Sequence, residues 1–349
     1  NDWVYYFSGG YTNVYDCLGE YYVPCFSYPS NSLWTREPFQ DVEVQAGLEA
    51  WAWIQKRAGQ IAQRKVLDPA IKHFLQQVAE NQRPVLWSKA LRLFALLQGR
   101  VTVLPPDARH VDYDVLPINI SDGCLYNCGF CSVKSNQSFQ ERSRENIADQ
   151  TAGLKELLGK DRINYNSLFL GQHDALNCRP ELIEESAVQA YSALGLDQSL
   201  LQGSYLFLFG SVDSLLQAGS DLWSRLEGLP YYTYINIGLE SGHQQTLDAI
   251  RKPLSADRVM AAYDRMLEIN HCLKNVEITA NILMDADMHP GHWQALEKMI
   301  RDRPGRMLSK GAVYLSPLSR QLAKEQLRIF QGMKRRSRIP MYLYLIQRL

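Results

Sequence analysis

The sequence predicts an α/β fold, a partial (β/α)6 TIM-like barrel preceded by a mainly helical N-terminal extension. Between about residues 115 and 317, short apolar runs alternate with amphipathic, helix-sized stretches, the pattern of repeated βα units around a parallel sheet. Those stretches carry helix start signals: Pro180 at a first-turn position, Ser211 before Val212, and Ser255 with Asp257. Upstream, over 41–99, the apolar period becomes helical.

Taken in order, Leu48, Trp51, Ile54, Ala58 and Ile61 form one helical stripe, and Asp68-Pro69 opens a second helix carrying Ile71, Phe74, Leu75 and Val78. Gly99 closes a third. Strands are predicted near 116–121, 167–171, 205–210, 234–238, 277–284 and 312–316, with functional groups expected at their C-terminal ends. Pro105-Pro106 marks a domain boundary, giving an aromatic-rich and helical region over 1–110, a core over 111–318 and a basic helical segment over 319–349. The first 35 residues hold Trp3, Tyr5, Tyr6, Phe7, Tyr11, Tyr15, Tyr21, Tyr22, Phe26, Tyr28 and Trp34, more aromatic surface than a solvated linker carries. They are expected to fill an interdomain core or to cover a substrate.

Of the 349 residues, 37 Lys plus Arg balance 37 Asp plus Glu, which excludes a globally basic nucleic-acid coat. With 46% hydrophobic and 21% charged residues, the chain can bury one large core or two smaller ones, so disorder is excluded. No run approaches the roughly 18 apolar residues of a membrane span, so no membrane partner and a cytoplasmic location are expected. The start at Asn1, with neither Met nor a leader, reads as a fragment or processed form. Residues 319–349 hold eight Lys or Arg against the single acid Glu325. Such a run binds phosphates or forms a solvated face.

The seven cysteines do not form a disulfide framework. Three of them, Cys124, Cys128 and Cys131, lie within eight residues as CxxxCxxC, a match with a chance on the order of 0.003 at this cysteine frequency. Three thiolates on one loop can hold three irons of a cubic [4Fe-4S] cluster and leave the fourth iron open for a ligand. Structural zinc is the competing reading, and it would need a distant fourth ligand such as Cys17, Cys25, Cys178 or His173.

With Phe130 as the aromatic before its last cysteine, this loop resembles the signature of the radical S-adenosylmethionine (radical SAM) superfamily, and the resemblance spans about 112–317. It implies a [4Fe-4S] cluster whose open iron chelates S-adenosyl-L-methionine. Reductive cleavage of that cofactor then gives a 5′-deoxyadenosyl radical that abstracts a substrate hydrogen. Gly238-Leu239-Glu240-Ser241-Gly242 is similar to the branch containing oxygen-independent coproporphyrinogen oxidases, methylthiotransferases and elongator-type proteins.

Cofactor contacts follow from these motifs. After the second strand, Gly171-Gln172-His173-Asp174 stands where the family often carries Gly-Gly-Glu; Gly171 keeps a close backbone approach, and Gln172 or Asp174 could accept from the methionine ammonium, unless Asp174 is only a helix cap. Glu240, with Ser241 beside it, is the ribose candidate, because two acceptor oxygens suit vicinal hydroxyls. Arg251 could meet the methionine carboxylate by a forked contact or be an exposed helix-end cation. Adenine is expected against Ile282, Asn281 and the backbone of Phe130, with Tyr314 to Pro317 closing the pocket. His173 is a candidate for moving a substrate proton, and His289-Pro-Gly-His292 reads as a surface loop.

No Walker loop, GxGxxG, HExxH or serine elbow occurs, so phosphoryl transfer and common hydrolase mechanisms have no support. The predicted partners are a small-molecule substrate and an electron donor such as flavodoxin or ferredoxin. An RNA substrate on the basic C-terminal segment and a non-enzymatic metal-binding module are the alternatives.

Overall fold

The structure, a computed structural model, describes residues 4–8, 11–15, 20–22, 42–98, 115–126, 128–131, 137–171, 173–285, 287–318, 324–343 and 346–348. Its centre is a seven-stranded sheet formed by β1 (Val115–Ile118), β2 (Ser167–Leu170), β3 (Tyr205–Gly210), β4 (Tyr232–Glu240), β5 (Val276–Met284), β6 (Ala312–Pro317) and β7 (Met341–Leu343). The strands run in sequence order and every neighbouring pair is parallel. That is the sheet of a partial TIM-like barrel, extended by one strand.

Parallel neighbours require crossovers, and helices supply them. After three N-terminal helices, α1 (Val42–Ala62), α2 (Pro69–Glu80) and α3 (Arg83–Leu97), come α4 (Arg144–Leu158), α5 (Pro180–Leu194), α6 (Val212–Gln217), α7 (Ser220–Gly228), α8 (Gln244–Ala249), α9 (Ala256–Cys272), α10 (Pro290–Glu297) and α11 (Lys324–Arg336). The start signals act as the sequence predicts: Asp68 accepts from Ala70 N at 2.8 Å, Ser211 forms a capping box with Ser214, and Ser255 accepts from Arg258 N at 3.3 Å.

Strand alternation sorts the two faces. Leu168, Leu170, Leu206, Leu208, Ile235, Ile237, Ile278 and Ala280 share the main core with helix residues such as Ile183, Val259 and Met266. On the opposite face Phe169, Tyr205, Phe207, Phe209 and Tyr234 gather, with the Phe207 and Tyr234 rings stacked at 5.5 Å.

Several elements depart from the sequence reading. β1 ends at Ile118 rather than near 121, because buried Asn119 is bound by α4: its N–H donates to Gln150 Oε1 at 2.9 Å and its carbonyl accepts from Gln150 Nε2 at 2.8 Å. The next residues, Ser121–Asp122, instead pair antiparallel with Gln140–Glu141. β7 was not anticipated, since three residues after Pro340 are too few to show a period. Of the α1 stripe, Ala58 is buried whereas Trp51 and Ile54 are exposed. α3 ends at Leu97 with Gln98 in a left-handed conformation, and Gly99 lies outside the described residues.

At the N-terminus, strands Val4–Ser8 and Tyr11–Tyr15 form an antiparallel pair, and Glu20–Tyr22 pairs with Ile346–Arg348 near the other end of the chain. Trp3, Phe26, Tyr28, Trp34, Cys17, Cys25, Pro105 and Pro106 lie outside the described residues, as do the side chains of the N-terminal strands. Among the described residues no helix is long and apolar enough to cross a membrane.

Candidate active site

The cysteine loop leaves the first strand region at Gly123. This glycine has φ +72°, and a Cβ there would lie 2.2 Å from the Ser138 carbonyl oxygen, so no larger residue fits the exit. Cys124 and Cys131 are half-buried and Cys128 is buried. Burial pushes the Cys124 thiol up and the Cys128 thiol up to about 11, while Lys252 opposes the rise at both.

Two tethers fix the loop. Gly129 N donates to Ile250 O at 2.9 Å. Tyr126 donates its hydroxyl to Asp213 Oδ2 at 2.7 Å and accepts from Asp213 N at 3.1 Å, joining the loop to the first turn of α6. Asp213 is held in turn by Arg258 of α9. Among the described residues, no three His, Cys, Asp or Glu side chains gather closely enough to share one metal ion.

At the end of β2, Gly171 has φ +86° and donates its N–H to Ile118 O at 2.8 Å; a Cβ would stand 2.5 Å from the Ala175 Cβ. Gln172 lies outside the described residues. Asp174 has no exposed surface: Oδ1 accepts from Ser211 N at 2.9 Å, and Oδ2 is buried without a hydrogen-bond partner. Its side chain does not cap the short helical turn that follows. Burial raises the Asp174 carboxyl to about 6, with Ser214, Ser211 and Lys252 pulling the other way. A buried acceptor left unsatisfied is costly unless a donor arrives from outside the chain. His173 is half-buried, and burial lowers its pKa against the influence of Asp122.

The end of β4 is strained. Glu240 has φ +67°, and Ser241 N donates across it to Leu239 O at 2.9 Å, the hydrogen bond of a γ-turn. The ladder to β5 slips here, with Asn281 opposite Gly238 and Ile282 opposite Glu240. A left-handed glutamate at a strand end is the kind of strain that accompanies function. Glu240 is 8% exposed and Lys252 5%, and the carboxylate of the first lies 3.5 Å from the ammonium of the second. Burial raises the Glu240 pKa and Lys252 opposes that.

Ser241 is fully buried and bonded within the protein. Leu283 O can only accept, so His292 Nε2 (3.0 Å away) carries the hydrogen and His292 Nδ1 accepts from the Ser241 hydroxyl at 2.8 Å. The Ser241 Oγ accepts from His243 N at 3.1 Å. Thus Ser241 braces the turn from behind. His292 is buried rather than in a surface loop, and burial lowers its pKa to about 4; His289 is exposed and stacks on His243.

Arg251 is exposed with φ +53°, and its side chain runs beside Gly129 of the cysteine loop. Asn281 is half-buried and accepts from Asn236 Nδ2 at 3.3 Å. The Ile282 side chain is fully buried in the helix-facing core, so it is the backbone that reaches the strand end. Phe130 is half-buried, Tyr314 is buried, and Ser316 and Pro317 are half-buried.

The sequence reading passed over Tyr126 and Lys252. The signal was present in an aromatic inside the cysteine loop and in a lysine directly after Arg251, but neither announces the 5.4 Å approach of the Lys252 ammonium to the Tyr126 ring.

Residues 118–284 match the family model of the radical SAM superfamily. No curated protein matches the chain by sequence. Among solved structures, the radical S-adenosylmethionine methyltransferase TsrM from Kitasatospora setae, with cobalamin and a [4Fe-4S] cluster bound, is 12% identical with a TM-score of 0.41; the match covers 63% of this chain and 38% of TsrM. A radical SAM methyltransferase from Sphaerobacter thermophilus is 13% identical with a TM-score of 0.43, covering 66% and 65%. Streptococcus suis SuiB is 10% identical with a TM-score of 0.43, covering 99% and 71%. This chain therefore spans less than two thirds of the length of the first two. Members of the matched family use a [4Fe-4S] cluster and S-adenosylmethionine, and it is the stretch from the end of β1 to the end of β5 of this chain that matches the radical SAM superfamily model.

Proposed function

We propose that the chain is a radical SAM enzyme in which Cys124, Cys128 and Cys131 hold the cluster and the C-terminal ends of β2 and β4 hold S-adenosylmethionine. The donor set suits the group, since a cubic cluster takes one thiolate per iron and three ligands leave one iron open. When bound, the cluster supplies the electron that cleaves S-adenosylmethionine into methionine and a hydrogen-abstracting 5′-deoxyadenosyl radical.

The chain's own residues bind and orient. The observation that carries the reading is the pair of buried carboxylates Asp174 and Glu240 at strand ends beside the cysteine loop, one with an orphan oxygen and one in a strained turn. Asp174 Oδ2 would accept from the methionine ammonium, and Glu240 would accept from the ribose hydroxyls, as the resemblance of Gly238 to Gly242 to its branch suggests. Arg251 is assigned to the carboxylate, and Asn281 with the backbone of Phe130 and Ile282 to adenine. Ser241 supports Glu240 rather than touching the cofactor through its hydroxyl. Residues 111–318 are the proposed catalytic core, to which 319–343 adds an edge strand.

The substrate is proposed to be a small molecule, and the reductant a low-potential protein such as flavodoxin or ferredoxin. An RNA substrate is less favoured because, among the described residues of the basic segment, three cations are engaged by the protein itself: Arg336 pairs with Glu297, Arg338 donates to Gly305 O at 2.9 Å, and Lys334 lies over the Phe330 and Tyr342 rings. Neutralising Lys334, Arg335 and Arg336 should leave no salt-dependent RNA affinity to lose. Equilibrium binding of S-adenosylmethionine to the iron-loaded protein tests the cofactor site. Glu240→Gln should weaken it about 10- to 100-fold, as expected for one lost charge-assisted contact. Unchanged affinity would overturn the assignment.

A further inference from the structure

Lys252 has no role in the cofactor contacts above, yet lysine is among the residue types least often buried without a reason. Its position follows from a second strained residue: Arg251 takes φ +53°, which turns the chain so that Lys252 points inward while Arg251 faces solvent. The ammonium donates to Gly238 O at 2.7 Å, lies 3.5 Å from Glu240 Oε1 and sits 5.4 Å from the centre of the Tyr126 ring. One cation thus bridges the cysteine loop and the strained end of β4. The hydrogen bond from Gly129 to the Ile250 carbonyl brings the same short segment against the loop a second time.

The charge count gives this cation a task. Three thiolates on a [4Fe-4S] core of charge +2 make a site of charge −1, and one added electron makes it −2. Net negative charge, burial and nearby charges set cluster potentials. Glu240 and Asp174 add negative charge close by, and the positive charge of Lys252 acts on the thiols of Cys124 and Cys128 and on both carboxylates.

We propose that Lys252 is a positioning and charge-compensating residue, whose buried ammonium, clamped between the Tyr126 ring and the Gly238 carbonyl, fixes Glu240 in its turn and favours the reduced form of a cluster on Cys124, Cys128 and Cys131. The inference rests on the reading of the cysteine loop as the cluster site. Lys252 need not touch the reacting atoms. Tyr126 serves as its platform and Asp213 fixes that platform.

The test is an anaerobic potentiometric titration of iron- and sulfide-reconstituted protein without S-adenosylmethionine, with dithionite as the one-electron reductant and the paramagnetic resonance signal of the reduced cluster as readout. At the wild-type midpoint, Lys252→Met should lower the ratio of reduced to oxidised cluster about tenfold, the order expected for one unit charge within about 10 Å. For a one-electron couple that is a midpoint lower by about 59 mV. Lys252→Arg should restore most of the ratio, and Tyr126→Leu, which removes the platform but keeps the charge, should shift it the same way by less.

An iron-loaded Lys252→Met protein with the wild-type midpoint would overturn the inference, as would Lys252→Arg shifting as far as Lys252→Met. If Lys252→Met does not fold, an unshifted Tyr126→Leu would overturn it. Wild-type protein that takes up no iron would instead overturn the cluster assignment beneath it.

Discussion

Replacing Asp174 with Asn removes the charge from a side chain with no exposed surface while keeping its shape. The carboxyl titrates at about 6 instead of 3.8, so holding it ionised costs about 2.2 × 1.36, or about 3 kcal/mol, well above pH 6. The sign follows from linkage. A raised folded-state pKa contributes stability that is fully present below pH 3.8 and is lost as pH rises through about 6. Relative to wild type, Asp174→Asn should therefore gain about 2.4 kcal/mol of that between pH 4 and pH 7 in urea unfolding of the metal-free protein. The new amide NH2 inherits the unpartnered position at a cost of about 1–3 kcal/mol, which lowers the variant's stability equally at every pH and leaves the pH-dependent gain unchanged.

Cofactor affinity should move the opposite way. The variant should bind S-adenosylmethionine about 10- to 100-fold more weakly at pH 8, the magnitude of one hydrogen bond between charged groups. In wild type that advantage should fade as pH drops below about 6. A stability difference that stays flat from pH 4 to 7 would refute the buried, unpaired carboxylate, and equal cofactor affinity at pH 8 would refute its role.

Gly171→Ala places a Cβ 2.5 Å from the Ala175 Cβ at φ +86°, and strain plus overpacking should cost about 2–4 kcal/mol in urea unfolding. His292→Gln should destabilise the protein most above pH 6.5: burial lowers this imidazole from 6.5 to about 4, so its stabilising contribution is lost as pH falls through that window. The gap between wild type and variant should shrink by about 3 kcal/mol on going from pH 7 to pH 4, and a constant gap would show that the ring is not held neutral.

The barrel was legible because its strands are buried on both faces or alternate cleanly, and because Pro180, Ser211 and Ser255 mark where helices begin. Local chemistry carried the cysteine loop as well, since its three thiols are neighbours in sequence. β7 and the N-terminal strands were missed because runs of three to five residues rely on partners distant in the chain, as when Glu20–Tyr22 pairs with Ile346–Arg348. The same limit governed the site. Gly171 and Glu240 could be named from motif and position, but the fully internal bonding of Ser241 depends on His292, 51 residues away. Lys252 differs from Arg251 by one position, and only the left-handed turn at Arg251 decides which of the two enters the protein.

Anaerobic reconstitution with iron and sulfide, followed by dithionite and S-adenosylmethionine, tests the central claim most directly. The account predicts about four irons per chain and release of 5′-deoxyadenosine, both abolished by Cys128→Ala. Zinc in place of iron, or a loaded cluster that never cleaves the cofactor, would contradict it.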